Sequence, residues 1–234
     1  MHLFYAPELD CSRDYSLSRE EAQHCVRVLR MKEGDRVLLT DGKGGLYQAE
    51  IVQAMAQTCV CRVEKQLEDT QKRDYHIHIA LAPTKNNART EWFVEKAVEM
   101  GIDEVSLFES RYSERTNVKT ERLEKVVISA LKQSFKANIT TINPIVDFKT
   151  LVDGAKEQYK FIATCEGDQR AKLKDCYRQG GDVIVLIGPE GDFSENEVAY
   201  AEERGFRPIT LGEARLRTET AALYALQGIH FINF

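Results

Sequence analysis

Residues 182–221 read DVIVLIGPEGDFSENEVAYAEERGFRPITLGEARLRTETA, and this stretch decides the fold. It opens with an unbroken, mostly β-branched apolar run at 183–187. Such a run predicts a central strand that is covered on both faces of an α/β sheet. The next four residues are Gly188, Pro189, Glu190 and Gly191. Because glycine can take positive φ and proline fixes φ, they predict a sharp turn at the carboxyl end of the strand.

A helix and a second strand follow this turn. Ser194 and Glu197 stand three residues apart as a capping box, and Gly205 is placed to end the helix as its C′ residue. Residues 206–211 supply the next strand, and Gly212 supplies a second glycine turn.

The chain after Gly212 holds Arg215 and Arg217, and Glu219 begins a last predicted helix. Apolar positions in this helix fit a 3.6-residue period: Ala222, Leu223, Leu226 and Ile229. We therefore expect the two glycine turns at adjacent strand ends, where open α/β sheets bind their ligands. Any doubly wound domain has such turns, so the turns alone leave the ligand open.

Two common nucleotide-binding motifs are missing from the sequence. No G-x-x-x-x-G-K-[ST] occurs, which argues against a cradle for a triphosphate. No G-x-G-x-x-G follows the first α/β strand, and the glycine turns lie near the C-terminus instead. This order is the reverse of a dinucleotide-binding Rossmann domain.

The paired motifs near the C-terminus are Ile187-Gly188-Pro189-Glu190-Gly191 with Phe193, Ser194 and Glu197, then Leu211-Gly212 and Leu216-Arg217-Thr218-Glu219-Thr220-Ala221. They closely resemble the SPOUT superfamily of S-adenosylmethionine-dependent RNA methyltransferases, and within it the 16S (small-subunit) ribosomal RNA uracil-N3 methyltransferases. The resemblance implies an α/β fold whose C-terminal SPOUT-type domain is tied in a trefoil knot. The knot would form the S-adenosylmethionine pocket, with these cofactor-binding residues: Ile187, Gly188, Pro189, Glu190, Gly191, Leu211, Gly212, Leu216, Thr220 and Ala221.

Composition sets broader limits. The 234 residues fit one large or two small domains, and 43% hydrophobic residues suffice for their cores. No apolar run approaches the roughly 18 residues of a membrane span, and the start lacks the features of a signal peptide, so we expect a cytoplasmic protein. The net charge of −5 argues against loose, charge-driven binding to nucleic acid, so an RNA partner must be met by local patches.

A metal site is not expected. The six cysteines include no C-x-x-C pair. Cys59 with Cys61, and His76 with His78, are better explained as paired buried side chains on strands than as ligands.

Residues 1–70 predict a small β-rich domain with one helix. Ser18 and Glu21 form a capping box, and an apolar stripe of Ala22, Val26 and Leu29 predicts a helix that ends near Met31. Three strands at 36–40, 46–52 and 58–65, joined by glycine-rich or short polar turns, suit a small barrel.

The segment His24 to Arg30, with Gly34-Asp35 and Asp41-Gly42, resembles the PUA-like RNA-binding β-barrel domain of the same family. Arg27, Arg30 and Lys32 cluster at the predicted helix end. By composition alone they form a solvated, charged helix end. The resemblance instead implies contact with RNA phosphates.

A polar linker at 67–74 leads into a second domain, 75–234, which opens with a βαβ pattern. It consists of a strand at 76–82, a helix at 87–100 closed by Gly101, and a strand at 104–108. The start of this domain resembles the family's pattern at the start of its catalytic domain, through Lys85, Arg89, Glu91, Lys96 and Glu99 to Gly101. The resemblance makes Lys85 and Arg89 candidates for RNA contact, although Lys85 also fits an exposed loop lysine, and Lys96 with Glu99 fits an i, i+3 ion pair.

A basic segment follows at 111–137, where seven Lys/Arg stand against three Asp/Glu. Its spacing predicts a helix with a phosphate-tracking stripe opposite an apolar face; the stripe is Arg122, Lys125, Lys132 and Lys136, and the face is Leu123, Val127, Ala130 and Leu131. Two parts of this segment also resemble a segment of the family: Ser113-Glu114-Arg115-Thr116, and Gln133 and Ser134 with Lys136. Arg115 and Lys136 are therefore further RNA candidates, and lysine at 136 keeps the charge of the usual arginine but loses its bidentate fork.

Methyl transfer from a sulfonium mainly needs alignment and exclusion of water. Uracil N3 must also lose a proton, so negative charge spreads onto O2 and O4. Arg217 is the predicted stabiliser of that charge, unless it braces the knot instead. Glu219 begins a helix, where the ionised form is stabilised and its basicity weakened, so we expect it to position the substrate more than to take the proton. Glu190 competes for the role of proton acceptor.

The resemblance further implies a homodimer that acts on 16S ribosomal RNA in the small ribosomal subunit. Two alternatives stay open: a SPOUT enzyme for another RNA, and a non-catalytic RNA-binding assembly factor.

Overall fold

The computed structural model describes residues 1–55, 57–68, 73–165, 167 and 170–234. It contains two compact units. The first comprises residues 1–73 and 131–139, and the second comprises 74–130 and 140–234. The predicted end of the first domain at residue 70, and the middle of the predicted linker, lie outside the described residues.

The first unit is built on a five-stranded sheet with the order β1-β3-β4-β5-β2. Its strands are β1 (Leu3–Tyr5), β2 (Tyr15–Ser16), β3 (Arg36–Thr40), β4 (Leu46–Met55) and β5 (Thr58–Leu67). β1 runs parallel to β3, and the other pairs are antiparallel. The three predicted strands are confirmed, although β4 continues past residue 52 to Met55. The short β1 and β2 were not predicted, because two or three residues carry no readable alternation.

The predicted helix of this unit is present, and its predicted apolar residues Ala22, Val26 and Leu29 pack into the core, but its second half is π-helical. Helix α1 (Arg19–Gln23) has Ser18 as its N-cap, but a π-helical turn follows at His24–Val28. Because the wider turn shifts the periodicity, Ala22 and Cys25 are the fully buried residues, and Val28 is 66% exposed.

The sequence predicts that Cys59 with Cys61, and His76 with His78, are buried on strands. Cys59 and Cys61 are fully buried together. His78 is also buried, with Nδ1 2.6 Å from Glu157 Oε1 and Nε2 2.7 Å from Ser106 Oγ, but the His76 side chain is 41% exposed. Burial is the largest single influence and opposes ionisation of Glu157, but the hydrogen bond and charge of His78 and the backbone hydrogen bonds together outweigh it and hold the pKa of Glu157 below its usual value. Among the described residues, no group of His, Cys, Asp and Glu is arranged to hold a metal.

The second unit is built on a seven-stranded parallel sheet with the order β10-β12-β9-β11-β6-β7-β8. Its strands are β6 (Ile77–Leu81), β7 (Glu104–Glu109), β8 (Thr141–Asp147), β9 (Tyr159–Ala163), β10 (Ala171–Lys172), β11 (Val183–Ile187) and β12 (Arg207–Thr210). β11 is the middle strand and is buried at every residue, which confirms the prediction from its apolar run.

The helices of the second unit are α2 (Asn87–Met100), α3 (Thr120–Ser134), α4 (Phe148–Gly154), α5 (Leu173–Cys176), α6 (Glu195–Glu202) and α7 (Thr218–Asn233). The last residues of α3, from Leu131 on, belong to the first unit. Phe108, Phe148 and Phe193 form an aromatic cluster beside β11, with ring centroids 5.8–6.0 Å apart. In the described part of the chain, no helix is both long and apolar enough to cross a membrane.

The predicted helix caps are present. Ser194 and Glu197 form the complete capping box of α6. Gly205 takes a φ of +84°, and hydrogen bonds from Gly205 N to Glu202 O and from Phe206 N to Ala201 O close a Schellman motif. Gly101 ends α2 with a φ of +93°.

The predicted basic stripe on α3 is broken. Lys136 lies beyond the end of α3, Arg122 pairs with Glu91 at 2.7 Å, and Lys132 pairs with Glu21 at 2.5 Å. The opposite face is apolar and buried as predicted, through Leu123, Val127, Ala130 and Leu131. Two of the four stripe charges are therefore neutralised by carboxylates from elsewhere in the chain.

The caps yield a stability prediction with a matched control. A Cβ at Gly205 or at Gly154 would meet nothing within 4 Å, but only Gly205 has a positive φ. Gly205→Ala should lower the free energy of unfolding by about 1–2 kcal/mol, the approximate cost of a left-handed alanine. Gly154→Ala, at the end of α4, should leave it unchanged or raise it by up to about 1 kcal/mol. Urea unfolding measures both, and an equal effect of the two changes would contradict the role of φ.

Candidate functional site

The two glycine turns lie at the carboxyl edge of the parallel sheet, but they are not at adjacent strand ends as predicted. β9 runs between β11 and β12, and Ala163 is in register with both Ile187 and Ile209. Two strand spacings of about 4.8 Å therefore separate the turns, roughly 10 Å in all. Thr164 and Cys165, at the end of β9, lie between them. Sequence reasoning missed these two residues, because only the strand order reveals their position.

The first turn is crowded by two aromatic side chains, Tyr112 and Phe193. Gly188 and Pro189 are buried, whereas Glu190 and Gly191 are exposed. A Cβ at Gly191 would lie 2.9 Å from Tyr112 Cβ, and one at Gly188 would lie 3.1 Å from the Phe193 ring. Gly188 does not have a positive φ, so its constraint is crowding by Phe193.

Asp192 completes this turn. It takes a φ of +62°, and its Oδ2 accepts a hydrogen bond of 2.7 Å from Cys165 N. The turn after β11 is therefore joined directly to the end of β9. Asp192 was not singled out from the sequence.

The second turn is open. Gly212 has a φ of +117°, which a side chain rarely adopts, and a Cβ there would meet nothing within 4 Å. The Thr210 hydroxyl bonds both the N–H and the C=O of Gly212. Leu211 and Leu216 are half-buried on either side of an exposed segment at 212–215.

Helix α7 joins the two turns. Thr218, its first residue, is buried and donates through Oγ1 to Gly188 O at 3.1 Å. Thr220 is exposed and Ala221 is half-buried one turn into the helix. The start of α7 is thus anchored to the turn after β11.

Glu219 is buried at the start of α7, with 6% exposure. Its Oε1 lies 3.7 Å from Arg89 Nε on α2, and its Oε2 has no hydrogen-bond partner among the described residues. A buried carboxylate oxygen without a donor is costly in a folded protein. This oxygen is therefore free to accept a hydrogen bond from a bound molecule.

Arg217 is the N-cap residue of α7, and its side chain is exposed. Within the described residues, no hydrogen bond or ion pair engages its guanidinium. Its five donors are consequently available at the same helix start as the free Glu219 oxygen.

Lys85, Arg115 and Glu190 lie together beside the first turn. Lys85 N donates to Glu190 Oε1 at 3.2 Å, and Arg115 Nε donates to Lys85 O at 3.0 Å. The Lys85 ammonium pairs with Glu114 at 2.7 Å, and this hydrogen bond and charge raise the pKa of Lys85. Lys96 also pairs with Glu99, as the spacing predicted.

The three basic residues near the end of the first predicted helix belong to the first unit. Arg27, Arg30 and Lys32 are exposed, and in the described structure their side chains have no ion-pair partner. Arg30 takes a φ of +54° just after the π-helical turn. Lys136 belongs to the same unit, half-buried in the loop after α3.

The chain matches two family models. Residues 70–230 match an RNA methyltransferase domain, and residues 17–64 match an RNA methyltransferase PUA domain. A relative from Mesomycoplasma hyopneumoniae, named ribosomal RNA small subunit methyltransferase E, is 30% identical over 77% of this chain and 82% of its own.

Solved structures agree with these matches. A probable rRNA methyltransferase from Porphyromonas gingivalis is 45% identical, with a TM-score of 0.92 over 100% of this chain and 98% of its own. A ribosomal RNA small subunit methyltransferase E from Neisseria gonorrhoeae, bound to S-adenosyl methionine, is 27% identical, with a TM-score of 0.88 over 100% and 98%. The chain therefore belongs to the family of ribosomal RNA small subunit methyltransferases E, and it carries both the RNA methyltransferase domain and the RNA methyltransferase PUA domain.

Proposed function

We propose that this protein transfers a methyl group from S-adenosylmethionine to N3 of a uridine in 16S ribosomal RNA, within the assembled small subunit. The observation that carries the proposal is the start of α7. There an unengaged arginine, Arg217, adjoins the buried carboxylate of Glu219, beside the two glycine turns. Family membership supplies the reaction class, and this geometry supplies groups suited to it.

The two turns fit S-adenosylmethionine. Glu190, Gly191 and Gly212 are exposed, so their backbone amides and carbonyls are accessible to a ligand, and the positive φ of Gly212 disfavours a side chain in the second turn. The cofactor-binding residues of our proposal are Ile187, Gly188, Pro189, Glu190, Gly191, Leu211, Gly212, Leu216, Thr220 and Ala221. We also propose that the chain is threaded there as the trefoil knot of the SPOUT fold, and the bond from Thr218 to Gly188 is consistent with such a closed arrangement.

The cofactor supplies a methyl group that is already activated on a sulfonium. The protein must then align the uracil and stabilise the charge that develops as N3 loses its proton. Arg217 donates to a uracil oxygen in this proposal, a role worth about 2.7–4 kcal/mol for one well-placed donor. Glu219 uses its free Oε2 to accept a hydrogen bond and position the bound groups, while Arg89 holds its other oxygen.

The RNA is gripped by local patches, since the chain as a whole carries a net charge of −5. Arg27, Arg30 and Lys32 form the PUA-like patch, and Lys136 adds a cation in the same unit. Lys85, Arg89 and Arg115 contribute beside the glycine turns. Weak, separated patches bind well only to a surface that presents all contacts at once, which favours the assembled subunit over naked RNA.

A homodimer is part of the proposal. Trp92 on α2 and Tyr224 and Phe231 on α7 are 46%, 56% and 72% exposed, and the two helices pack against each other. Tyr224 and Phe231 stand seven residues apart and so share a helix face. Large exposed aromatic groups on paired helices are typical of an interface.

The second glycine turn can be tested with a matched glycine. Gly212→Ala should abolish S-adenosylmethionine binding, because alanine rarely adopts the φ of +117° and the backbone of the turn would change conformation. Gly180 has a φ of +80° and is equally open, so Gly180→Ala also places an alanine at a positive φ, away from the turns. Calorimetric titration with S-adenosylmethionine, with circular dichroism to verify folding, compares the two. Wild-type affinity in folded Gly212→Ala would remove this turn from the cofactor site.

Arg217→Ala should reduce methyl transfer about 10²- to 10³-fold while cofactor binding persists, because the interaction strengthens only as charge develops on the uracil. The assay is tritiated methyl transfer to small subunits that lack the modification. Arg178→Ala removes an exposed arginine elsewhere in this unit and should keep full activity. Full turnover by Arg217→Ala would show that another residue stabilises the charge on the uracil, and Lys85 and Arg115 would be the next candidates.

The same assay tests the substrate. Methylation should be strong on small subunits and weak on naked 16S RNA and on large subunits. Equal methylation of naked RNA would contradict the need for an assembled surface, and mass spectrometry of the product reports whether N3 of uridine carries the methyl group.

Arg27→Ala with Arg30→Ala should weaken RNA binding and flatten its salt dependence, by about 0.7–0.9 of log–log slope for each phosphate that the variant no longer neutralises. The control is Arg13→Ala with Arg36→Ala, since both arginines are exposed in the same unit and already paired with Asp10 and Glu64. Binding is measured by filter retention across a salt series. An unchanged slope in the first double variant would return Arg27 and Arg30 to ordinary solvated charges.

A further inference from the structure

Apart from the glycine turns, the second unit has a recess between α2, the segment before α3, and the start of α3. It has a volume of about 350 Å³, and its lining includes Asn87, Thr90, Glu91, Arg115, Lys119 and Arg122. This volume falls within the rough 300–1,000 Å³ range of small-molecule sites. We call it the α2–α3 pocket.

The pocket carries a net positive charge. Arg122 is engaged by Glu91 through two bonds, of 2.7 and 2.8 Å, so that pair cancels. Arg115 and Lys119 remain, and neither is paired with a carboxylate in the described structure. Arg115 uses Nε to hold Lys85 O, which leaves its other guanidinium donors free. Two uncompensated cations in the lining of one pocket suit a phosphate group.

Asn87 adds a specific polar group. Its Oδ1 is buried and has no hydrogen-bond partner among the described residues. The N-terminus of α2 does not need this oxygen, because the neighbouring Asn86 already caps the helix by accepting from Ala88 N. A buried acceptor without a donor indicates a missing ligand group, since buried polar atoms are nearly always paired.

The carboxamide in the pocket favours one kind of base. Asparagine reads adenine through two hydrogen bonds, accepting from the N6 amino group and donating to N7. An adenine on Asn87 would satisfy the free Oδ1, while its phosphate could reach Arg115 and Lys119 on the pocket wall. In RNA the major groove is too deep and narrow for side chains, so a base that a protein reads in this way is one that is unpaired and turned out of its stack.

We propose that the α2–α3 pocket binds an unpaired adenine nucleotide of the RNA, next to the uridine that is methylated. Asn87 reads the base, and Arg115 and Lys119 hold its phosphate. The pocket is linked to the glycine turns, because Arg115 bonds Lys85 O and Lys85 N bonds Glu190. The inference rests on the proposed function and adds a second base-specific contact, so that the target is chosen by a neighbouring nucleotide as well.

The test is an NMR titration of the intact protein with AMP, UMP and ribose 5-phosphate. S-adenosylhomocysteine is kept saturating, so that AMP cannot report on the proposed cofactor site. AMP should bind about fivefold more tightly than ribose 5-phosphate or UMP, the ratio that roughly 1 kcal/mol gives. The shifted amide signals should include Asn87, Thr90 and Lys119.

Variants separate the two parts of the pocket. Asn87→Ala should bring AMP down to the affinity of ribose 5-phosphate, and Lys119→Ala should weaken both ligands. Lys125→Ala removes an exposed lysine of α3 outside the pocket and should change neither. Lys119 is exposed, so its variant remains informative even if Asn87→Ala does not fold.

Equal affinity for AMP and UMP, or AMP shifts that avoid the pocket, would overturn the proposal. Cofactor titration and methyl transfer to small subunits are measured on the same samples. If methylation is normal and AMP does not bind, the adenine site alone is rejected. If S-adenosylhomocysteine does not bind, it is the proposed function that fails.

Discussion

The second unit depends on the pairing of one buried strand on both of its edges. β11 hydrogen-bonds in parallel to β9 on one side and to β6 on the other, and every one of its residues is buried. Because parallel strands all point the same way, their carboxyl ends meet at a single edge, and the loops that follow them converge there. The turn at Gly188, the turn at Gly212 and the end of β9 are neighbours for this reason.

The residues at this edge are held by few but specific contacts. Thr218 ties the start of α7 to Gly188, Asp192 ties the first turn to Cys165, and Glu190 holds the backbone of Lys85. Glu219 Oε2 and Asn87 Oδ1 are among the buried side-chain atoms that have no hydrogen-bond partner within the described residues. Buried polar atoms are nearly always paired, so a bound ligand is one source of the missing partner. These two atoms support the binding proposals because Glu219 lies at the start of α7 and Asn87 lines the α2–α3 pocket.

Charge alone is a poor guide in this protein. Four of the basic residues that the sequence analysis names form ion pairs with nearby carboxylates: Lys85, Lys96, Arg122 and Lys132. Ion pairs near the surface add little to stability, but the cation of such a pair attracts a phosphate less strongly than an unpaired one does. Arg27, Arg30, Lys119 and Arg217 have no such partner in the described structure, and the proposals on RNA and charge stabilisation rest on them.

The sequence by itself determined the main helices and strands around the glycine turns, but not the elements β1, β2, β8, α4 and β10. The apolar run of β11, the capping box of α6 and the glycine that ends α2 or α6 are encoded within a few residues, so local patterns suffice to read them. The motifs around both glycine turns also indicated the family. Only the tertiary structure decided that β9 separates those turns, that a π-helical turn replaces half of the first helix, which cations are paired, and that Glu219 keeps a free oxygen. Each of these depends on partners distant in the chain, and no local periodicity records which distant strand or carboxylate a residue will meet.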